Sequence, residues 1–305
     1  MNDIINTSNL TKIYGDVHAV DNVNLSVKKG EIFGFLGLNG AGKTTTIRMI
    51  LGMVTPTSGR CYLQGQKVSA GNTNTWGDVG YIVETPYSYP ELTVRENIEV
   101  VRKLRGIKEK SSVDWIMKKL KLDDYESKKA KYLSLGNAQR LGIAKAIIHK
   151  PKILILDEPT NGLDPAGIVE VRQLLMDLAK NSGVTILVSS HKLDEISKIS
   201  TNIAIIHKGK LIKEIDVQQL ESQLKKSLVL DGKDRNSTKS ILTEANYKVD
   251  IKENSLQIND ADAVNNPDEV AKLLVNKGNP PILLKVEKED LEMYFLRTIK
   301  EFGGN

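Results

Sequence analysis

The sequence predicts an α/β protein: a largely parallel sheet flanked by helices, an inserted helical subdomain, and a small C-terminal α+β appendage. Three observations carry that prediction. The first is Gly37-Leu38-Asn39-Gly40-Ala41-Gly42-Lys43-Thr44, which fits G-x-x-x-x-G-K-[ST]. Glu31–Leu36 before it is an apolar run suited to a buried strand, and Thr45–Leu51 after it spaces apolar residues at helical period. The second is Ile153–Leu156, four consecutive apolar residues running into Asp157 and Glu158, which reads as a strand buried on both faces of a parallel sheet. The third is a change of pattern, helical from Thr93 to Tyr125 and then, after Ser222, short strands and helices between polar turns.

The glycine loop carries the chemistry. Strand, loop and helix start together make an anion hole: the glycines let backbone N–H groups turn inward, and the helix dipole adds partial positive charge. Gly37, Leu38, Asn39, Gly40, Ala41, Gly42, Lys43, Thr44 and Thr45 are therefore expected to bind the phosphates of a nucleoside triphosphate. Lys43 would reach the β- and γ-phosphates, and Thr44 would offer its hydroxyl to Mg²⁺. Asp157 stands where a cation would be held, directly or through water. Glu158 is placed to take a proton from attacking water, because ligands of open α/β sheets sit beyond the carboxyl ends of the strands.

Bulk properties narrow the classes. Hydrophobic residues at 40% and charged ones at 27% are those of a globular protein. A net charge of +5 is spread as lysines along solvated faces, which favours solubility over nucleic-acid binding. The single Cys61 allows no internal disulfide and suits a reducing cytosol. No apolar run approaches 18 residues, and Met1-Asn2-Asp3 does not open a signal peptide, so service at a membrane would need a partner.

Ile4 to Val27 alternates like two strands around a turn at Tyr14-Gly15-Asp16, and Tyr14 is either a stacking face for a base or a core tyrosine. The helix after the glycine loop stops near Gly52, and Thr55–Gly59 reads as a loop. Val79–Val83 is a further strand. In the helical stretch, Val94, Ile98, Val101 and Leu104 share one face, and Val113, Ile116, Met117 and Leu120 continue it. Ser134-Leu135-Gly136-Asn137 precedes a helix that Ser134 or Asn137 would cap, and its free amides offer a second anion site. Val184–Ser190 repeats the buried-strand design and ends on His191, and Ile203–Ile206 with Lys210–Ile212 form a hairpin about Lys208-Gly209. The domain limits expected are 1–221, with a helical insertion over about 85–150, and 222–305. The second part shows no cluster of chemistry-bearing groups. Its expected strands are Ser227–Asp231, Tyr247–Ile251, Ser255–Ile258 and Ile282–Val286, with helices near Ser237–Ala245, Asp268–Val275 and Glu289–Phe302.

In this order the motifs resemble the ATP-binding subunits of ABC transporters, over residues 4 to 220. Gly37–Thr44 resembles Walker A and Ile153–Glu158 Walker B with its catalytic glutamate. Asn161-Gly162-Leu163-Asp164 resembles the D-loop, Ser190-His191 the switch histidine, and Tyr14 the adenine-stacking aromatic. The resemblance implies a P-loop NTPase fold of the ABC ATPase type, with ATP and Mg²⁺ as cofactors. It also implies a homodimer in which Ser134, Leu135, Gly136, Asn137 and Asp164 act in trans on the partner's nucleotide. A separate transmembrane permease would hold the protein peripherally on the inner face of the cell membrane, with no nucleic acid as partner.

Two departures are informative. The family's Leu-Ser-Gly-Gly-Gln appears as Leu133-Ser134-Leu135-Gly136-Asn137, and its Q-loop glutamine is replaced by Glu84, a further candidate ligand for Mg²⁺. Both features, with Gln139–Ala144, look like the subgroup that exports bacitracin or gives lantibiotic self-immunity. Two other classes compete: a soluble ABC ATPase acting on ribosomes or DNA, and a regulatory module that binds ATP but hardly hydrolyses it. Relatives acting on ribosomes usually carry two ATPase units, and DNA-repair relatives a long coiled coil, neither of which this chain has. Glu158 and His191 argue for hydrolysis.

Overall fold

The computed structural model describes residues 3–69, 74–252 and 255–302. The chain divides into two units, one holding the residues up to Gln218 with those from Thr298 onward, the other Gln219–Arg297.

In the first unit, β1 (Asp3–Tyr14), β2 (Val17–Val23) and β3 (Ser26–Lys28) open the chain as antiparallel strands. β4 (Ile32–Leu36) departs for a second sheet and feeds α1 (Lys43–Ile50). β5 (Ser58–Leu63) and β6 (Gln66–Lys67) then return to the first sheet, whose order is β2-β1-β5-β6 with β3 on β1. Alternation alone predicts only a pair of strands over Ile4–Val27 and a loop through Ser58-Gly59, where β5 in fact begins. The shifts of register along β1 explain why simple alternation concealed the longer sheet.

The second sheet is the scaffold of the site. β7 (Val79–Ile82) is followed by α2 (Val94–Leu104), α3 (Ser111–Lys119) and α4 (Leu135–Ile147), which make the helical region. β8 (Ile153–Leu156), α5 (Pro165–Ser182), β9 (Thr185–Ser190), α6 (Leu193–Ser197), β10 (Asn202–His207) and β11 (Lys210–Asp216) complete it. The order is β11-β10-β4-β9-β8-β7, parallel throughout except for β11. Every residue of β4, β8 and β9 is buried, as the apolar runs Ile153–Leu156 and Ile186–Val188 require. Phe33, Phe35, Ile155 and Leu187 join the core that the two sheets share.

Helix α2 starts with a capping box, Thr93 and Glu96 each receiving the other's backbone amide. Val94, Ile98, Val113, Ile116, Met117 and Leu120 are buried as the periodicity requires. Leu104 is not: at 76% exposure it lies in the last turn of α2, past the region that packs. Among the described residues, no helix is long and apolar enough to cross a membrane.

The second unit comprises most of α7 (Val217–Gln223), then β12 (Lys226–Gly232), α8 (Arg235–Glu244), β13 (Val249–Lys252), β14 (Ser255–Ile258), α9 (Ala261–Asn265), α10 (Pro267–Asn276) and β15 (Pro281–Lys288), and runs into α11 (Leu291–Phe302). Its antiparallel sheet has the order β13-β14-β12-β15. Leu228, Leu230, Leu256, Ile258, Leu242 and Leu274 form a core of its own. The short α9, too brief to show a period, was missed in the sequence; Asp260 caps it by accepting from the amides of Asp262 and Ala263.

Candidate nucleotide site

The end of β4 turns into a loop that a side chain at Gly42 would destroy. Gly42 has φ +108°, and a Cβ there would stand 2.5 Å from the carbonyl oxygen of Ala19. This packing presses the loop against β2 and starts α1 at Lys43 with no side-chain cap, so the first-turn amides of Lys43, Thr44 and Thr45 lack an acceptor within the helix. A cleft of about 210 Å³ is lined by Leu38–Thr45, Ala19 and Glu158. Unpaired amides at a helix start, around a cleft with one lysine, suit a polyphosphate.

Lys43 is only 6% exposed, and a buried ammonium needs partners. Its Nζ donates to the carbonyls of Gly37 (2.6 Å) and Leu38 (3.3 Å) and lies 3.2 Å from Glu158 Oε1. That last contact is ionic without hydrogen-bond alignment, so Oε1 is buried with no donor. Its other oxygen, Oε2, lies 2.9 Å from His191 Nδ1, so the imidazole and the carboxyl group share a hydrogen bond. Glu158 itself has φ +50°, a backbone conformation costly for a non-glycine residue.

Asp157 follows β8 and is buried. Thr44 Oγ1 donates to its Oδ2 at 2.7 Å, and Ser189 Oγ donates to its Oδ1 at 2.5 Å. The same Ser189 hydroxyl accepts from the Glu158 amide at 3.0 Å, so one buried hydroxyl at the end of β9 fixes both acids that follow β8. Sequence reasoning passed over Ser189. The signal was present, a polar residue at the carboxyl end of a fully buried strand, the same feature that singled out Asp157. Thr44 and Asp157 offer hard oxygen donors of the kind Mg²⁺ takes. Among the described residues no group of three or more His, Cys, Asp or Glu could hold a metal.

The other expected residues are elsewhere. Glu84, at φ +57°, pairs with Arg48 at 2.8 Å on the surface and does not line the phosphate cleft. Tyr14 is half-exposed, which excludes the core alternative, and the ammonium of Lys12 sits 4.9 Å from its ring centroid while donating to the carbonyl of Thr55. Helix α4 begins at Leu135, which decides between the two expected caps. Ser134 is the cap, accepting from the Asn137 amide, so Asn137 is a first-turn residue rather than a cap. Asp164 caps α5 by accepting from the Gly167 amide. Leu135 packs on Gly162, and Gly136 faces Leu163, which joins the helix start of α4 to the loop before α5.

Residues 20–161 match the family described as ABC transporter. The bacitracin transport ATP-binding protein BcrA of Bacillus licheniformis is 40% identical over 302 residues, 98% of either chain. The chain belongs to the ABC transporter ATP-binding proteins. It is accordingly an ATPase subunit with the P-loop NTPase fold that its motifs implied. Another relative of this ABC ATPase, the lantibiotic transport ATP-binding protein SrtF of Streptococcus pyogenes, is 38% identical over 234 residues, 76% of this chain and 100% of its own. A solved ATP-binding subunit of an ABC transporter superposes with a TM-score of 0.66 at 28% identity, covering 72% of this chain and 92% of that one. A dimeric bacterial ABC transporter cassette gives 0.65 at 28% identity, covering 70% and 98%.

Proposed function

We propose that this subunit powers the export of a peptide antibiotic, bacitracin-like or lantibiotic-like, and so protects the cell that makes or meets it. The observation that carries this reading is the reach of the likeness to the bacitracin transport ATP-binding protein. It covers 98% of both chains and so includes the second unit, whereas likeness to ATPase cassettes alone would stop near residue 220.

In this reading Lys43 and the amides of the glycine loop bind the ATP phosphates, and Tyr14 stacks on the adenine. Thr44 and Asp157 hold Mg²⁺, which supplies charge neutralisation at the phosphates. Glu158 orients and deprotonates the attacking water, and His191 fixes Glu158 and contacts the γ-phosphate. Ser189 holds Asp157 and Glu158 in register, so most of the rate comes from positioning and electrostatics. A second copy supplies Ser134, Leu135, Gly136, Asn137 and Asp164 in trans, and the helix start behind Ser134 suits that role because a helix N-terminus favours an anion. The permease docks on the groove of about 500 Å³ that Glu84, Tyr87 and Leu104 line, where the exposed Tyr87 and Leu104 offer apolar contact.

The test is a pull-down of tagged subunit from gently solubilised native membranes, with ATPase assayed on the eluate and bacitracin and lantibiotic susceptibility measured in a deletion strain. A multi-span partner that stimulates hydrolysis, with sensitivity rising on deletion, is expected. An eluate of ribosomal proteins or DNA and unchanged susceptibility would sink the exporter.

A further inference from the structure

We infer that a cavity at the end of the six-stranded sheet where β4, β8 and β9 begin is a binding site for an anionic amphiphile. It lies in the first unit, at the opposite end of the strands from the phosphate loop, and is independent of the transport reading.

The cavity measures about 790 Å³, within the range of about 300–1,000 Å³ typical of small-molecule sites. Lys29, Lys119, Lys150 and Lys152 line it, and no acid does. Two of the four are neutralised from outside the lining: Lys119 by Asp177 and Lys152 by Asp78, each at 2.9 Å. Lys29 and Lys150 have no carboxylate partner among the described residues.

Three helices, α3, α4 and α5, end beside the cavity, and lysines often serve such ends. Here the carbonyls of those last turns are met by other groups. The Lys150 amide donates to Ile147, the Val184 amide to Leu178, and Arg140 to Leu120. Capping therefore does not account for the lysine side chains.

Beside the lysines and the polar Gln64, Ser182 and Thr185, the wall is apolar. Leu154 and Ile147 belong to the buried core, while Trp115 is left 39% exposed. The ammonium groups of Lys119 and Lys150 each lie 5.8 Å from the Trp115 ring centroid, so two cations frame one open indole. A carboxylate, sulfonate or phosphate head would lie toward Lys29 and Lys150. An aliphatic or aromatic body would cover Trp115 and the apolar wall.

Trp115 reports on its own site. The chain has two tryptophans, so Trp76→Phe leaves it as the sole one, and excitation at the red edge of the indole band spares the nine tyrosines. Monomeric dodecanoate is titrated into the full-length W76F protein and its dissociation constant read from Trp115 emission. Saturable one-site binding is expected, at least tenfold weaker in K29Q/K150Q, whose two exposed positions leave folding and basal ATPase unchanged. Equal binding of neutral dodecyl maltoside, or an affinity that K29Q/K150Q does not change, would overturn the site. A response to phosphatidylglycerol vesicles without one to the monomer would also overturn it, in favour of a membrane-surface contact.

Discussion

Leu135 lies so close over Gly162 that a Cβ on the glycine would stand 2.1 Å from Leu135 Cδ2. Gly162 also has φ +77°, so a side chain there meets both a steric and a backbone penalty. Gly162→Ala is therefore expected to lower stability by about 2–4 kcal/mol in urea unfolding. Adding Leu135→Gly should recover the steric part and leave about 1–2 kcal/mol of backbone strain. Simple additivity in the double-mutant cycle would show that the two residues do not share the contact.

Glu158→Gln keeps the side chain's size and removes its charge. Turnover should fall by roughly 10²-fold or more, the scale of a lost general base, while ATP-dependent association of two copies persists. Single-turnover hydrolysis and light scattering check the two halves. Hydrolysis at the parent rate would remove Glu158 from the role of base.

Ser189→Ala leaves Asp157 Oδ1 without its donor and the Glu158 amide without its acceptor, both in a buried setting. A stability loss of about 2–3 kcal/mol is expected. A drop in kcat larger than any rise in KM should accompany it, since the phosphate loop itself is untouched. A variant with normal kcat would reduce Ser189 to a packing residue.

His149 gives the fold a pH dependence. Its Nε2 lies 3.1 Å from the Val79 carbonyl, and its Nδ1 is buried without a partner. Burial, reinforced by Arg105, pushes its pKa down to about 4. The unfolded chain, near 6.5, binds the proton first, so stability is full above about pH 6.5 and falls as pH drops toward 4. Denaturant midpoints across that interval should show the fall, and His149→Gln should flatten it.

The parallel sheet and its phosphate loop were legible because β4, β8 and β9 are buried on every residue, which forces apolar runs broken in β9 only by Thr185 and the terminal serines, and because the loop's chemistry admits few residues. β5 and β6 were not, since their residues are mostly exposed and carry no period. Thr44, Asp157 and Glu158 meet in the fold as the acids behind a buried strand suggested, and His191, whose place only the family resemblance implied, joins them through Glu158. Glu84 could not be placed from sequence: its ion-pair partner is Arg48, thirty-six residues earlier on α1 and visible as a partner only in three dimensions.

The left-handed backbone at Glu158 has a consequence for anyone who evolves this protein in the laboratory. Glycine or asparagine would relax that turn, so a screen that rewards soluble yield or heat resistance will drift toward them at this position. The winners would be sturdy and inert. Libraries of this subunit should therefore be selected on ATP turnover, a property that a thermometer cannot see.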